Sequence, residues 1–328
     1  MENKRLREVF VNKVLRAIPP HIKPVDYLMD ILDLSRISVY RRINGILPFT
    51  YDEIVILSSK LNISLDDIIY SNMDSKAIFS FRGLGNSSPE DYFYGILKKY
   101  YDNIIEEEKF PNRISIVSMN HLWLLFAISS EDLVRFYYYK WLHLVTENTS
   151  NLNYSEVSLS PQTIAITHMV WDKIQYLPNT IFIIDKELFF NSIKDAQYFY
   201  QRNLIKEDEL QLIKEGFEKV IEYTEGHVLR GKNKMGADRY FYFSPINIYI
   251  NSSYVEFGDK VLSSFYTYSM NPFETDNVSI CTSHKKWLEQ LKKYSVLMTA
   301  SNEALQIDFF KRQREYLDNL INNIPLLP

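Results

Sequence analysis

Leu34-Ser35-Arg36-Ile37-Ser38-Val39-Tyr40-Arg41-Arg42-Ile43-Asn44-Gly45 carries its own start and stop signals for a short helix. The Ser35 hydroxyl can accept from a backbone N–H at the helix start, and Gly45 can end the helix in the left-handed conformation. Between them Val39 and Ile43 stand four apart and share one face, which is the side that can be buried. At about 100° per residue, Ile37, Arg41 and Asn44 fall opposite, with Ser38 and Tyr40 on the flanks. The result is a narrow aliphatic seam behind a face rich in hydrogen-bonding groups.

Working outward, helices are predicted on both sides. Asn3 to Ala17 places Leu6, Val9, Phe10, Lys13 and Val14, then Ala17, on one stripe before Pro19-Pro20 ends it. Pro24 suits the first turn of a second helix that buries Tyr27, Leu28, Ile31 and Leu32. Thr50 with Glu53 forms a capping box for a fourth, carrying Ile54, Leu57, Ser58 and Leu61 on one stripe, and Ser64 with Asp67 repeats that pattern for a fifth. A five-helix unit over residues 1–72 follows. Its exposed third-helix face has the chemistry of a major-groove reader: Arg41 can pair bidentately with guanine, Asn44 with adenine, and Ile37 can touch a thymine methyl. Ser35, Arg36 and the helix N-terminus are placed for phosphate.

This stretch resembles the helix-turn-helix of the Cro/lambda-repressor superfamily. The likeness covers about residues 20–70. It rests on Leu34-Ser35 entering the helix, the ten positions from Ser35 to Gly45, Pro48-Phe49-Thr50 opening the next helix, and Leu61-Asn62-Ile63-Ser64-Leu65-Asp66 leading to the last. The resemblance implies that the third helix contacts bases through Ile37, Ser38, Tyr40 and Arg41. Asp33 stands where the family commonly has a glycine before the Leu-Ser pair.

The chain has 328 residues, about two domains' worth, with 46% hydrophobic residues, 24 Tyr and 20 Phe against only 9 Gly. Net charge is −4 overall, yet residues 1–72 hold 10 Lys+Arg against 9 Asp+Glu, a net +1, leaving −5 on the remainder. A near-neutral head with Arg36, Arg41 and Arg42 clustered can meet nucleic acid, whereas an acidic tail should not wrap it. No segment has the apolar length of a membrane span and the N-terminus lacks a signal-peptide core, so a soluble, cytoplasmic protein with no membrane partner is expected.

Residues 73–88 are read as a linker, and 89–328 as an α+β domain for sensing or oligomerisation. Helical patterns dominate residues 89–226, beginning at Ser88-Pro89, with one short buried strand suggested at Ile181 to Ile184. Antiparallel strands are expected within 237–270, at Arg239 to Phe243, Ile246 to Ile250, Ser253 to Phe257 and Val261 to Tyr268. Helices from about Ser283 to Tyr294 and Ser301 to Asn322 close the chain, with a strand suggested at Val296 to Thr299. The fold class is therefore α+β: a repressor-like helical head, then a mostly helical domain with a late antiparallel sheet. Tyr137-Tyr138-Tyr139 cannot all face one core on a helix, so ordinary packing with the phenol tips exposed is expected, with packing between domains, at a dimer interface or around a ligand as the alternatives.

Nothing in the chain advertises catalysis. The six histidines are scattered without ligand spacing, and the single Cys281 reads as a small buried residue. His284-Lys285-Lys286 begins like a phosphodiesterase His-x-Lys but has Leu291 where the Asp belongs, so it reads at best as a cationic helix start. Gly231-Lys232-Asn233-Lys234-Met235-Gly236 lacks the Lys-Ser/Thr ending of a phosphate loop. No metal, no cofactor and no enzyme activity are expected. The expectation is a DNA-binding regulator acting on double-stranded DNA as a homodimer, with a small-molecule or protein effector at the tail. A mobile-element enzyme or toxin effector with an autoregulatory head, and a protein-interaction scaffold, are the alternatives.

Overall fold

The computed structural model describes residues 2–19, 22–61, 63–70, 78–81, 85, 87–233, 236–267 and 270–321. The chain divides into two compact units, residues 1–78 and 79–328.

The first unit contains α1 (Glu2–Ala17), α2 (Pro24–Leu32), α3 (Arg36–Ile43), α4 (Tyr51–Lys60) and α5 (Leu65–Tyr70). α2 to α5 each start where a cap or proline was predicted, within a residue. Leu28, Val39 and Leu57, one from each of α2, α3 and α4, are all buried in its core. From α1 come Phe10 and Val14, as expected, while Ile18, just past its end, rather than Ala17 completes the buried stripe. The Phe10 ring meets Phe49 edge-on at 5.7 Å, pinning the loop that precedes α4.

The second unit is α+β, built on a sheet of seven strands among the described residues. Its centre is parallel: β1 (Ile114–Met119), β2 (Thr180–Asp185) and β3 (Arg239–Ser244) run side by side. Antiparallel strands β4 (Ser252–Phe257), β5 (Lys260–Thr267) and β6 (Asn271–Thr275) extend one side, and β7 (Val296–Leu297) the other, giving the order β6-β5-β4-β1-β2-β3-β7. The sheet is thus mixed: β4, β5 and β6 form the antiparallel meander expected late in the chain, with β6 an added strand beyond 270, while β3 pairs parallel to β2 and two further assignments change. Residues 114–119 are a strand inside the stretch read as helical. Ile246 to Ile250 is not a strand but the connection out of β3, held where the Ile248 N–H donates to the Asp185 carboxylate at 2.9 Å. For β1 the reason is that central parallel strands are covered on both faces and lose the alternation that marks half-buried strands.

Helices cover the two faces unequally. On one face β1, β2 and β3 turn Val117, Phe182 and Phe241 into the main core against α6 (Pro89–Glu107), α7 (Leu124–Ala127), α8 (Glu131–Val145), α9 (Pro161–Ile174), α10 (Leu188–Gln201), α11 (Glu207–Arg230) and α13 (Glu303–Ile321). On the other, Ile116, Ile183 and Tyr254 pack against Cys281, Leu288 and Leu291 of α12 (Val278–Tyr294). His284 is therefore mid-helix and buried, not a cationic helix start. Its two ring nitrogens lie 2.9 and 3.0 Å from the Ser263 and Ser252 hydroxyls, and burial pushes its pKa down to about 4.

α8 overturns the expectation for the tyrosine run. Phe136, Tyr137, Tyr138, Tyr139 and Trp141 are all buried, because α8 is surrounded rather than laid on a surface. Tyr137 and Tyr139 donate to the Leu122 and Leu152 carbonyls at 2.6 and 2.9 Å, so neither phenol is stranded. α11 reaches α8 through Gly216, where an added Cβ would lie 2.7 Å from Leu133 Cγ.

Nor is 73–88 a plain linker throughout. Ser80 exchanges backbone hydrogen bonds with Glu274 of β6 at 2.7 and 3.0 Å. Phe79 meets Phe265 edge-on and Phe81 stacks on Phe273. This part of the segment belongs to the sheet edge.

Candidate nucleic-acid interface

The geometry of α3 starts with the turn before it. Asp33 adopts φ 51°, ψ 49°, the left-handed conformation for which glycine is the low-cost residue, and its N–H donates to the Met29 carbonyl. An aspartate can hold that conformation where a branched residue could not. By Ser35 the backbone is extended again, and the Ser35 hydroxyl accepts from Ser38 N–H at 3.3 Å. At the far end Gly45, φ +72°, donates to the Arg42 carbonyl at 3.0 Å and Ile46 N–H to that of Arg41 at 2.8 Å. That bond pair is the Schellman stop.

α3 is fixed to its neighbours by charge as well as by Val39. Arg42 points away from solvent and grips Glu53 of α4 with two bonds of 2.7 Å, its side chain 12% and that of Glu53 11% exposed. Glu53 also accepts from Thr50 N–H at 2.9 Å while the Thr50 hydroxyl accepts from Glu53 N–H, completing the predicted capping box. Burial pushes the Glu53 carboxyl up, but hydrogen bonds from Arg42 and Thr50 outweigh it and hold the pKa below its ordinary value. The sequence reading had the box but not the arginine; the available signal was an acid with one oxygen left over after capping.

The predicted site residues divide into three groups. Ile37 is 70% and Tyr40 47% exposed; Arg41 and Asn44 are also in solvent. The Arg41 guanidinium has no ion pair or hydrogen bond among the described residues. Ser35 and Ser38 are bonded to each other at 3.0 Å at the helix start. Arg36 is exposed but held by Asp26 of α2 at 2.5 Å. The three-arginine cluster read from the sequence therefore reduces to one uncommitted cation, because Arg42 is internal and Arg36 is countered.

The face that remains combines an aliphatic side chain, a phenol, a guanidinium and an amide on a helix whose ends and back are fixed. It can offer bidentate donors, a hydrogen-bonding amide and an apolar contact to one flat edge. Among the described residues no group of three or more His, Cys, Asp or Glu could hold a metal ion, and no helix is long and apolar enough to cross a membrane. No family model matches the chain, and no curated protein or solved structure does either.

Proposed function

We propose that this chain is a sequence-specific, DNA-binding transcription regulator that inserts α3 into the major groove. The observation that carries the reading is the uncommitted Arg41 beside exposed Ile37, Tyr40 and Asn44, on a helix anchored from behind by the Arg42–Glu53 pair. Folding alone gives no reason to keep Ile37 in water or Arg41 unpaired, whereas base-edge reading needs both. Arg36 would then exchange Asp26 for a backbone phosphate, an exchange that an exposed ion pair allows at little cost.

One short helix reads few base pairs, so the regulator acts as a homodimer with two half-sites related by two-fold symmetry, the tail supplying the pairing and the response to an effector. The protein works in the cytoplasm. Selection of the full chain against random duplexes tests this, followed by salt titration of the winner. The expected result is a preferred motif whose affinity falls steeply with salt, and an Arg41→Ala protein that loses about 1–3 kcal/mol on it. Recovery of no motif, or equal affinity for every duplex, would falsify the reading.

A further inference from the structure

α12 packs on the sheet face opposite the main core, and it is basic in an acidic region: residues 278–294 hold four Lys and one Glu, against the −5 carried by residues 73–328. Its sequence repeats. Lys285-Lys286-Trp287 and Lys292-Lys293-Tyr294 stand seven residues apart, two helical turns less about 20°, so the two triplets share one stripe at a spacing of about 10.5 Å.

Position by position, the two triplets are placed alike. The first lysine is held inward on a sheet tyrosine: Lys285 Nζ lies 5.4 Å from the Tyr254 ring and pairs with Glu256 at 2.5 Å, and Lys292 Nζ lies 5.9 Å from the Tyr242 ring. The second lysine, Lys286 or Lys293, is exposed and has no ion pair or hydrogen bond among the described residues. The ring is in solvent too, Trp287 exposed by 49% and Tyr294 by 65%. Trp287 is nevertheless seated. It lies nearly parallel to the buried His284 ring, at 6.0 Å and 21°, and Phe265 stands 4.6 Å from that imidazole. The indole is thereby held in place while half its surface stays in water. Glu289 is the single acid between the triplets.

We propose that this strip of α12 binds single-stranded DNA, with bases stacked on Trp287 and Tyr294 and phosphates on Lys286 and Lys293. A basic strip in an acidic region calls for an anionic partner, and rings set beside cations call for one that exposes flat groups between its charges. A duplex hides its base faces, and an acidic peptide has no use for the rings. A membrane needs a free apolar helix face, but α12 commits its own, Cys281, Leu288 and Leu291, to the sheet. The exposed Gln290 between the rings has no hydrogen bond among the described residues, so it is not fixed to read a 2′-hydroxyl. The choice of DNA over RNA rests on the DNA-binding reading of α3.

Titration of the full chain into a labelled oligothymidylate tests the strip. Trp287→Ala and Tyr294→Ala should each weaken binding about tenfold. Lys286→Gln combined with Lys293→Gln should flatten the fall of log affinity with log salt by about 1.4, at about 0.7 per phosphate contact, and leave the urea midpoint in place. Bound thymine should quench Trp287 emission, and Trp287→Phe should retain binding yet lose the quench, a signature that a packing role alone does not give. The proposal is overturned if oligothymidylate does not bind, if binding survives both ring variants, if oligouridylate binds more tightly, or if polyglutamate or phosphatidylserine vesicles displace the DNA from the strip. Arg41→Ala should leave the oligothymidylate affinity unchanged, which separates the two readings. Oligothymidylate binding by a protein that selects no duplex leaves the strip standing and removes the regulator, and duplex selection without oligothymidylate binding does the reverse.

Discussion

Helices α3 and α8 are made of similar material, aromatic and basic residues mixed with aliphatics, and the protein treats them in opposite ways. α8 buries Phe136, three tyrosines and Trp141 in succession, and places even Lys140 out of water against Asp195 at 2.9 Å. α3 fully buries only Val39 and leaves Ile37, Tyr40 and Arg41 in solvent. A sequence able to enclose a tyrosine triplet is not short of ways to cover one isoleucine. The exposed face of α3 is thus a property of where the helix is held, and the holding is done by Arg42, Glu53 and the two capped ends.

The largest effect that can break this comparison is a core deletion in each helix. Phe136 is fully buried, with Phe199 and Phe217 edge-on to it, so Phe136→Ala should cost about 3–5 kcal/mol of tail stability. Ile37→Ala should change stability by no more than about 0.5 kcal/mol. All four tryptophans, Trp123, Trp141, Trp171 and Trp287, lie in the tail, so indole emission in urea reports the first. Far-UV ellipticity reports the second. A large loss from Ile37→Ala would mean that α3 is covered in the folded state.

Next come the adjacent arginines. Arg42→Ala strands the Glu53 carboxylate and should destabilise the head by about 2–3 kcal/mol, whereas Arg41→Ala should leave its urea midpoint in place. The Glu53 pKa is lowered on folding, so its share of head stability is present above its unfolded pKa and is lost as pH falls through the folded one. Glu53→Gln should flatten that acid limb. Equal midpoints for the two arginine variants would show that the pair does not anchor α3.

What could be read in the chain followed the locality of the signal. In the head, Ser35, Thr50 and Gly45 act on their own backbone within three or four residues, so caps, helix order and the solvent face of α3 were all visible. In the tail, β1 and β2 pair across more than sixty residues, and their apolar runs look alike whether helical or extended. Arg42 and Glu53 sit between these cases: each was noticed separately, but only packing of α3 on α4 joins them. A small space under the sheet was invisible because Ser115, Ser253 and Ser264 have no common spacing, and only the sheet register brings them together.

A smaller effect comes from the polar row under α12. His284 is neutral in the fold, its pKa near about 4 through burial, while the unfolded chain titrates near about 6.5. Between those values the unfolded state binds more protons, so tail stability should fall as pH drops from about 6.5 toward 4. His121 and His143 are lowered in the same direction, each mainly by burial, so the slope in His284→Gln should be reduced but not abolished. Indole-monitored melts at several pH values check this, and an unchanged slope would mean that His284 is reached by water.

The smallest expected effects come from two glycines, and they differ in kind. Gly45 has φ +72° and nothing within 4 Å of an added Cβ, so Gly45→Ala introduces strain and no clash. The left-handed penalty of roughly 1–2 kcal/mol is partly offset by a stiffer unfolded chain, worth about 0.4–1, leaving a loss of about 1 kcal/mol in the head. Gly216 lies inside α11, where alanine gains up to about 1 kcal/mol in helix propensity, but its Cβ would lie 2.7 Å from Leu133 Cγ and 2.8 Å from Ser130 Oγ. Overpacking costs about 1–3 kcal/mol, so the net loss is again near 1, now in the tail. Gly45→Ala should therefore shift far-UV ellipticity with the indole transition unmoved, and Gly216→Ala should shift the indole transition. If both variants moved both signals together, head and tail would unfold as one unit, and α3 would owe its position to the tail as well as to Arg42 and Glu53.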